Sequence, residues 1–389
     1  MPDNGRALRV ALVRARYNPY GGAERFAARA LHALSARGVD VSVIARRWDG
    51  AAAPGTTWLR CDPFYLGSVW RERSFARAVV QQVAGAGFDL VQSHERIPGL
   101  PVYRAGDGVH AAWLERRAVG MTRGQRLALR LNPYHRYMVA TERAMFEHSG
   151  LRAVICNSSL VRDEIASRFA IDPARLHVIA NGIDLTRYTP AAARAQRAVL
   201  RQQLGIDAAA PVFLFVGSGF ARKGVATALA ALARLDVPAH LVVVGADKHL
   251  ARYREQARGL GLGARVAFVG PQRDVLPWYG MADALLLPTV YDPFPNVTLE
   301  AWACGLPVLT SSGCGAREAV IEGRNGWVRE AGDVAGFAAA LAALLAALRH
   351  DPEALHASAR ATAAMYSLDA LGERLLALYR TLLPDDVLF

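Results

Sequence analysis

Lysine is nearly missing from this chain: of its 46 basic residues, all but Lys223 and Lys248 are arginine. Such dominance reads as a compositional habit, so an arginine says little by itself, whereas Lys223 marks a place where a compact point charge is wanted. Cysteine is scarce as well. Cys61, Cys156, Cys304 and Cys314 show no C-x-x-C spacing, which favours reduced thiols over a disulfide or a zinc site. The longest apolar run, Phe337–Leu348, is alanine-rich and too short to span a bilayer. The opening MPDNGRALRV lacks the apolar core of a signal peptide, so a cytoplasmic location is expected. No repeat occurs at solenoid periods. The P-loop spacing and the full G-x-G-x-x-G pattern are both missing.

What is present is an ordinary α/β composition: 389 residues, 52% hydrophobic and 21% charged, enough for two domains. The formal charge of +12 favours nucleic acid, an anionic membrane surface or phosphorylated ligands. No nucleic-acid-binding motif accompanies it, so nucleic acid is not expected as a partner.

Short apolar runs alternate with helical patterns along the whole chain. LRVALVR (Leu8–Arg14) reads as a strand, followed by ARYNPYGGAE and a helix. Gly21 and Gly22 in that turn would allow close backbone approach to a ligand, or make a plain tight turn. FDLVQSH is a further strand, after which Asp107, Gly108 and His110 cluster before a helical segment. An acid or imidazole there could take a proton from an acceptor hydroxyl; a turn aspartate is the bland alternative. From Trp113 to Met145 seven arginines face only Glu115 and Glu142, interleaved with Trp113, Tyr134 and Tyr137. This is either a solvated face, a site for an anionic acceptor or a contact with anionic lipid.

After LHVIANGID, the polar, alanine-rich stretch 189–210 reads as a linker leading into a helix. PVFLFVGSGFARKGV then gives a strand, a glycine loop and a helix start bearing Arg222 and Lys223, a phosphate-binding pattern. The richest stretch is YDPFPNVTLEAWACGLP (Tyr291–Pro307), set between the apolar runs ADALLLPT and VLTSS. It reads as a loop, an N-cap at Asn296, about two turns of helix, and Gly305 and Pro307 as stop signals. Asp292 and Glu300 flank the turn at the carboxyl end of a parallel strand, where open α/β sheets bind ligands. The helix start suits a phosphate and Glu300 suits a diol, although a solvated loop acid and a dipole-favoured glutamate would look the same. Residues 367–383 form a last amphipathic helix.

VGSGFARKG, VVVG, FVGPQRDV and DPFPNVTLEAWACGLPVL, with YNPYGGAER and VIANGID upstream, occur in an order that resembles a retaining glycosyltransferase of family 4. Within that family, RIPGLPVYRAGD, NPYHRYMVATERAMFE and VGSGFARKGV look like the enzymes that add the first hexose to the heptose region of lipopolysaccharide core. The resemblance implies the GT-B fold: two Rossmann-like doubly wound parallel-sheet domains facing a central cleft. The expected domains are 1–182 on the acceptor side, 183–366 for the nucleotide-sugar, and a helix at 367–389 packing back on the first.

The family's E-x(7)-E motif falls on Asp292 and Glu300, the first for sugar hydroxyls and the second for the ribose. Phe294, Asn296 and Val297 would offer backbone N–H groups, and Arg222 and Lys223 would bind the diphosphate. Gly21, Gly22, Gly217 and Arg273 go with the donor, while Asp107 or His110 would touch the transferred sugar. Asp292 departs from the pattern by one methylene, which bears on the donor sugar. No D-x-D motif occurs, so no metal or other cofactor is expected. The implied reaction moves a hexose, glucose from UDP-glucose, to a lipid-linked oligosaccharide, with the protein attached peripherally to the inner face of the cytoplasmic membrane. The competing readings are another GT-B enzyme, such as a nucleotide-sugar epimerase or an exopolysaccharide glycosyltransferase, and a non-catalytic sugar-nucleotide-binding protein.

Overall fold

The structure, a computed structural model, describes residues 7–17, 34–35, 37–48 and 56–383. The chain divides into two compact units, Met1–Gly182 with Leu368–Phe389, and Ile183–Ser367.

The first unit is built on strands β1 (Arg9–Val13), β2 (Asp40–Ala45), β3 (Thr56–Arg60), β4 (Leu90–Ser93), β5 (Val102–Ala105), β6 (Ala153–Cys156) and β7 (Leu176–Val178). Their order is β3-β2-β1-β4-β5-β6-β7, with every pairing parallel. β4, β5 and β6 are buried along their whole length, as a parallel sheet covered on both faces requires. Between β5 and β6 lie helices α1 (His110–Ala118), α2 (Arg123–Leu131) and α3 (Pro133–Phe146). The C-terminal helix Leu368–Leu382 closes one face of this sheet, where Leu371, Leu375 and Tyr379 join Val10, Leu12 and Val41 in one core. Tyr379 also donates to Gln92 Oε1 at 2.8 Å, which satisfies a polar side chain in the middle of β4.

The second unit carries β8 (Val212–Val216), β9 (His240–Val244), β10 (Val266–Gly270), β11 (Ala284–Leu287), β12 (Val308–Ser311) and β13 (Gly326–Arg329). The order is β10-β9-β8-β11-β12-β13, again all parallel. Helices that matter below are α4 (Phe220–Lys223), α5 (Asn296–Ala303), α6 (Val334–His350) and α7 (Pro352–Ala364). α6 contains the alanine-rich apolar run and buries Phe337, Leu341 and Leu344 in the core. Among the described residues no single helix is long and apolar enough to cross a membrane.

In both sheets the order in which successive strands are added reverses once, between β1 and β4 and between β8 and β11. Such a switch point splays the loops at the carboxyl ends of its two strands and leaves a crevice there. The stretch 189–210 is not a linker. It forms helices Pro190–Arg194 and Arg197–Gln203, because alanine, arginine and glutamine are good helix formers and Asp283 anchors them. Arg197 and Arg201 both reach the Asp283 carboxylate, at 2.7 and 3.1 Å.

Candidate active site

In the second unit, β8 and β11 are neighbours, and the loops leaving them bring three charged groups together. Lys223 Nζ and Arg222 Nη1 both donate to Asp292 Oδ2, the arginine at 3.2 Å. Arg222 Nη1 also donates to Tyr291 O at 2.9 Å. Lys223 is 8% and Asp292 7% exposed, so this is a buried ion pair with the half-exposed Arg222 at its rim. Buried charges persist only when paired, and the pairing fixes both loops. The main chain adds to the grip. Asp292 N–H donates to Gly313 O at 3.0 Å, and Gly315 N–H donates to Asp292 O at 2.8 Å.

Arg222 and Lys223 end a one-turn helix instead of starting a longer one. Gly224 follows with φ +83°, and a Cβ there would stand 1.9 Å from Pro288 O. Only glycine fits so close to the β11 loop, and that forces the break which aims Lys223 at Asp292. Gly217, with φ +153°, leaves room for the lysine stem; a Cβ there would sit 3.3 Å from Lys223 Cε. Arg273 is not brought into this cluster. It lies exposed on the loop after β10, a strand three places from β11 in the sheet, and no hydrogen bond or ion pair joins it to the cluster among the described residues.

α5 begins one residue earlier than its sequence suggests: Pro295 is the N-cap and Asn296 the first helical residue. Proline takes this place because its φ of −70° is already compatible and it lacks an N–H. Asn296 and Val297 therefore occupy the first turn, whose N–H groups find no partner inside the helix. Phe294, 3% exposed, packs its ring 5.7 Å from that of Tyr366. Glu300 is fully buried and accepts a 2.9 Å hydrogen bond from Tyr279 Oη on Glu300 Oε2. Tyr279 is equally buried. Its phenol is held well above the ordinary value by burial and then by the Glu300 charge, so it remains a donor. Sequence reasoning missed Tyr279, and only a polar aromatic within the apolar LPWYGM helix hinted at it. Cys314 lies beside Asp292, and burial, followed by the Asp292 charge, pushes its thiol up to about 12.

In the first unit, Asp107 and His110 follow β5. Asp107 is half-exposed, 3.8 Å from Arg14 Nη1. His110 opens α1, and its N–H donates at 2.8 Å to Glu142, which also accepts from Ala111 N–H and from Arg96 Nε at 2.9 Å. The start of α1 is thus occupied by a fully buried carboxylate of α3. His110 Nε2 lies 3.1 Å from His135 Nδ1, and Trp113 packs 5.4 Å away between ring centroids. Burial, then the Arg96 charge, lowers the His110 pKa to about 4, so the imidazole is neutral. Gly21 and Gly22 lie outside the described residues.

The arginine-rich segment is not one uniform face. Arg116 pairs with Glu164 at 2.5 Å, and Arg117 lies over the Trp113 ring. α2 differs from its neighbours: a Thr122–Gln125 capping box holds it, yet none of its residues is buried. Leu127 and Leu131, one turn apart, are 58% and 59% exposed beside Arg123, Arg126 and Arg130.

Comparison with known proteins agrees with this geometry. The profile for Glycosyl transferases group 1 matches residues 196–362, and that for Glycosyltransferase Family 4 matches residues 20–187. The lipopolysaccharide glucosyltransferase WaaG of Escherichia coli strain K12 is 29% identical over 323 residues, 82% of this chain and 84% of that one. The D-inositol 3-phosphate glycosyltransferase of Geodermatophilus obscurus is 31% identical over 328 residues, 79% of this chain and 70% of that one. A crystal structure of WaaG superposes with a TM-score of 0.79 and 28% identity, covering 95% of this chain and 99% of that chain. Two doubly wound parallel sheets, a basic pair facing the acid-flanked turn and this coverage have one common explanation: the chain belongs to the family 4 glycosyltransferases of GT-B fold and is related to the lipopolysaccharide core glucosyltransferases.

Proposed function

We propose that this glycosyltransferase moves a hexose, glucose from UDP-glucose, onto the heptose region of a lipopolysaccharide core acceptor, with retention of configuration and without a metal ion. The observation that carries this reading is the buried Lys223–Asp292–Arg222 cluster at the switch point of the second sheet. The likeness to WaaG across most of both chains supports the acceptor class.

The bond between the anomeric carbon and the diphosphate oxygen breaks, and its electron pair leaves with the diphosphate. Negative charge therefore grows where two cations stand against one carboxylate, and fixed charges act best where charge develops. The acceptor hydroxyl attacks from the same face, and its proton passes to the departing phosphate oxygen. Asp292 orients sugar hydroxyls, Glu300 accepts from the ribose, and the N–H groups of Phe294, Asn296 and Val297 meet the sugar or the diphosphate. Asp107 and His110 serve the acceptor side; a neutral imidazole is able to accept a hydroxyl proton.

The acceptor is held by lipid, so the enzyme works at a membrane surface. Exposed Leu127 and Leu131 beside Arg123, Arg126 and Arg130 suit peripheral attachment to an anionic inner leaflet. The test is a panel of nucleotide-sugars offered with truncated lipopolysaccharide acceptors, with excess EDTA in a parallel arm. Nucleotide release that needs the acceptor, survives EDTA and yields an α-linked product from an α-linked donor is the expected result. Conversion of the donor into its epimer without acceptor would favour an epimerase, and neither release nor conversion with any donor would favour a binding protein.

A further inference from the structure

A second basic cavity, of about 580 Å³, lies in the second unit away from the Lys223 cluster. Its walls include Pro211 and Asp283, the residues just before β8 and β11, so it opens at the amino ends of the strands. The donor cluster lies beyond their carboxyl ends, and five residues of strand put roughly 16 Å between the two places. This volume falls in the range of sites for small organic molecules, about 300–1,000 Å³.

Its electrostatics are one-sided. The single acid on the wall, Asp283, is already consumed by Arg197, Arg201 and the Val212 N–H at 2.8 Å. Arg349, at the end of α6, makes no ion pair or hydrogen bond among the described residues. Arg194 Nη2 lies 3.3 Å from His356 Nε2, while His356 Nδ1 lies 2.7 Å from Gly305 O. A carbonyl only accepts, so Nδ1 carries the ring proton; a guanidinium only donates, so Nε2 accepts from Arg194. His356 is therefore the acceptor toward Arg194 in this arrangement. It fixes the direction of Arg194 without cancelling its charge. The same wall has an apolar part, formed by Leu345, Leu348 and Pro211.

We propose that this cavity is a second anion site that takes an organic phosphate monoester, its phosphate spanning Arg194 and Arg349 and its carbon body against Leu345, Leu348 and Pro211. Paired guanidiniums match phosphate oxygens in a way a single exposed charge does not. The apolar wall distinguishes an ester from inorganic phosphate. His356 on the wall is hydrogen-bonded to Gly305, two residues past the end of α5, the helix that carries Glu300.

The probe is phenyl phosphate, measured by titration calorimetry against phenol and inorganic phosphate on the full chain. Because the donor cluster also attracts phosphate, the parent is compared with Arg222→Gln, Arg349→Gln and Arg194→Gln/Arg349→Gln. Phenyl phosphate should bind the parent more tightly than either control. Affinity should fall several-fold in Arg349→Gln, at least ten-fold in the double variant, and stay unchanged in Arg222→Gln. Arg349 has no partner to lose, so its variant keeps the test valid if the double variant folds poorly. Equal binding by parent and Arg349→Gln, loss in Arg222→Gln alone, no binding by the parent, or phenol binding as well as its ester would each overturn the proposal. Failure of the donor reading shows separately, as nucleotide diphosphate affinity that ignores Arg222→Gln.

Discussion

The Lys223 ammonium and the Asp292 carboxylate meet as a buried pair, the lysine ending the helix after β8 and the aspartate standing on the loop after β11. In the proposed reading a carboxylate oxygen holds the cations that a diphosphate oxygen would hold, and an arriving donor would compete with Asp292. The pair also joins the two loops of the switch point. Removing one partner of a buried pair leaves an uncompensated charge, a cost of about 3–5 kcal/mol.

Asp292→Asn should therefore keep or strengthen affinity for a nucleotide diphosphate, because two cations lose their internal competitor, while turnover falls through lost contacts to the sugar. Calorimetry with UDP and steady-state rates on the same protein preparation separate the two effects. Weakened UDP binding together with normal turnover would reverse the assignment.

Lys223→Ala should depress turnover on the order of 10²-fold or more, as loss of a charge stabiliser does elsewhere. Arg222→Gln should do less, since its side chain is 40% exposed and screened. Because both cations act on Asp292 Oδ2 and on one developing charge, the double variant should fall short of the product of the single effects. Strict multiplicativity in kcat would mean that they serve different groups.

Glu300 and Tyr279 make a further pair. Tyr279→Phe should leave Glu300 Oε2 short of a donor and loosen its orientation, raising the KM for the nucleotide-sugar more than it lowers kcat. Glu300→Gln should weaken nucleotide binding by roughly 1–3 kcal/mol, the worth of a hydrogen bond to a charged group. If both variants bind UDP as the parent does, the ribose lies elsewhere.

His110 makes stability depend on pH. Its folded-state pKa of about 4 lies below the ordinary 6.5, so the unfolded chain binds the extra proton first. This contribution is complete above pH 6.5 and is lost as pH falls toward 4. Arg96 and His135 face the ring, and neither supplies a negative charge that would reverse the sign. Urea unfolding at pH 7 and pH 5 should show a smaller loss of stability in His110→Gln than in the parent. Equal losses would place the pH sensitivity in other groups.

Much of this was legible in sequence because apolar runs of strand length alternate with helical patterns and parallel strands must be apolar on both faces. The turn carrying Asp292 and Glu300 stood out for the same reason, since charged groups there interrupt a buried pattern. Three features were not legible. Arg197 and Arg201 read as linker because their partner, Asp283, is 86 and 82 residues further along. Tyr279 matters only through Glu300, a contact that periodicity cannot show. The pairing of Arg116 with Glu164, between helices separated in sequence, was equally hidden.

That last pairing sharpens the membrane prediction. Arg116 serves the fold, so variants that test attachment should spare it and use Arg123, Arg126 and Arg130 on α2, where no residue is buried. Each basic residue near anionic lipid contributes about 1 kcal/mol at most, and salt screens it over roughly 8 Å at physiological strength. The exposed Leu127 and Leu131 add an apolar share that salt does not screen. Vesicles with anionic lipid should therefore bind the parent more tightly than neutral vesicles do, with binding weakened but not abolished in high salt. Replacing the three arginines with Gln should remove the salt-sensitive part, and Leu127→Ser/Leu131→Ser the remainder. Neither set should lower the unfolding midpoint, since α2 contributes nothing to the core. If both variants bind anionic vesicles as the parent does, α2 is a solvated helix and attachment belongs to another surface.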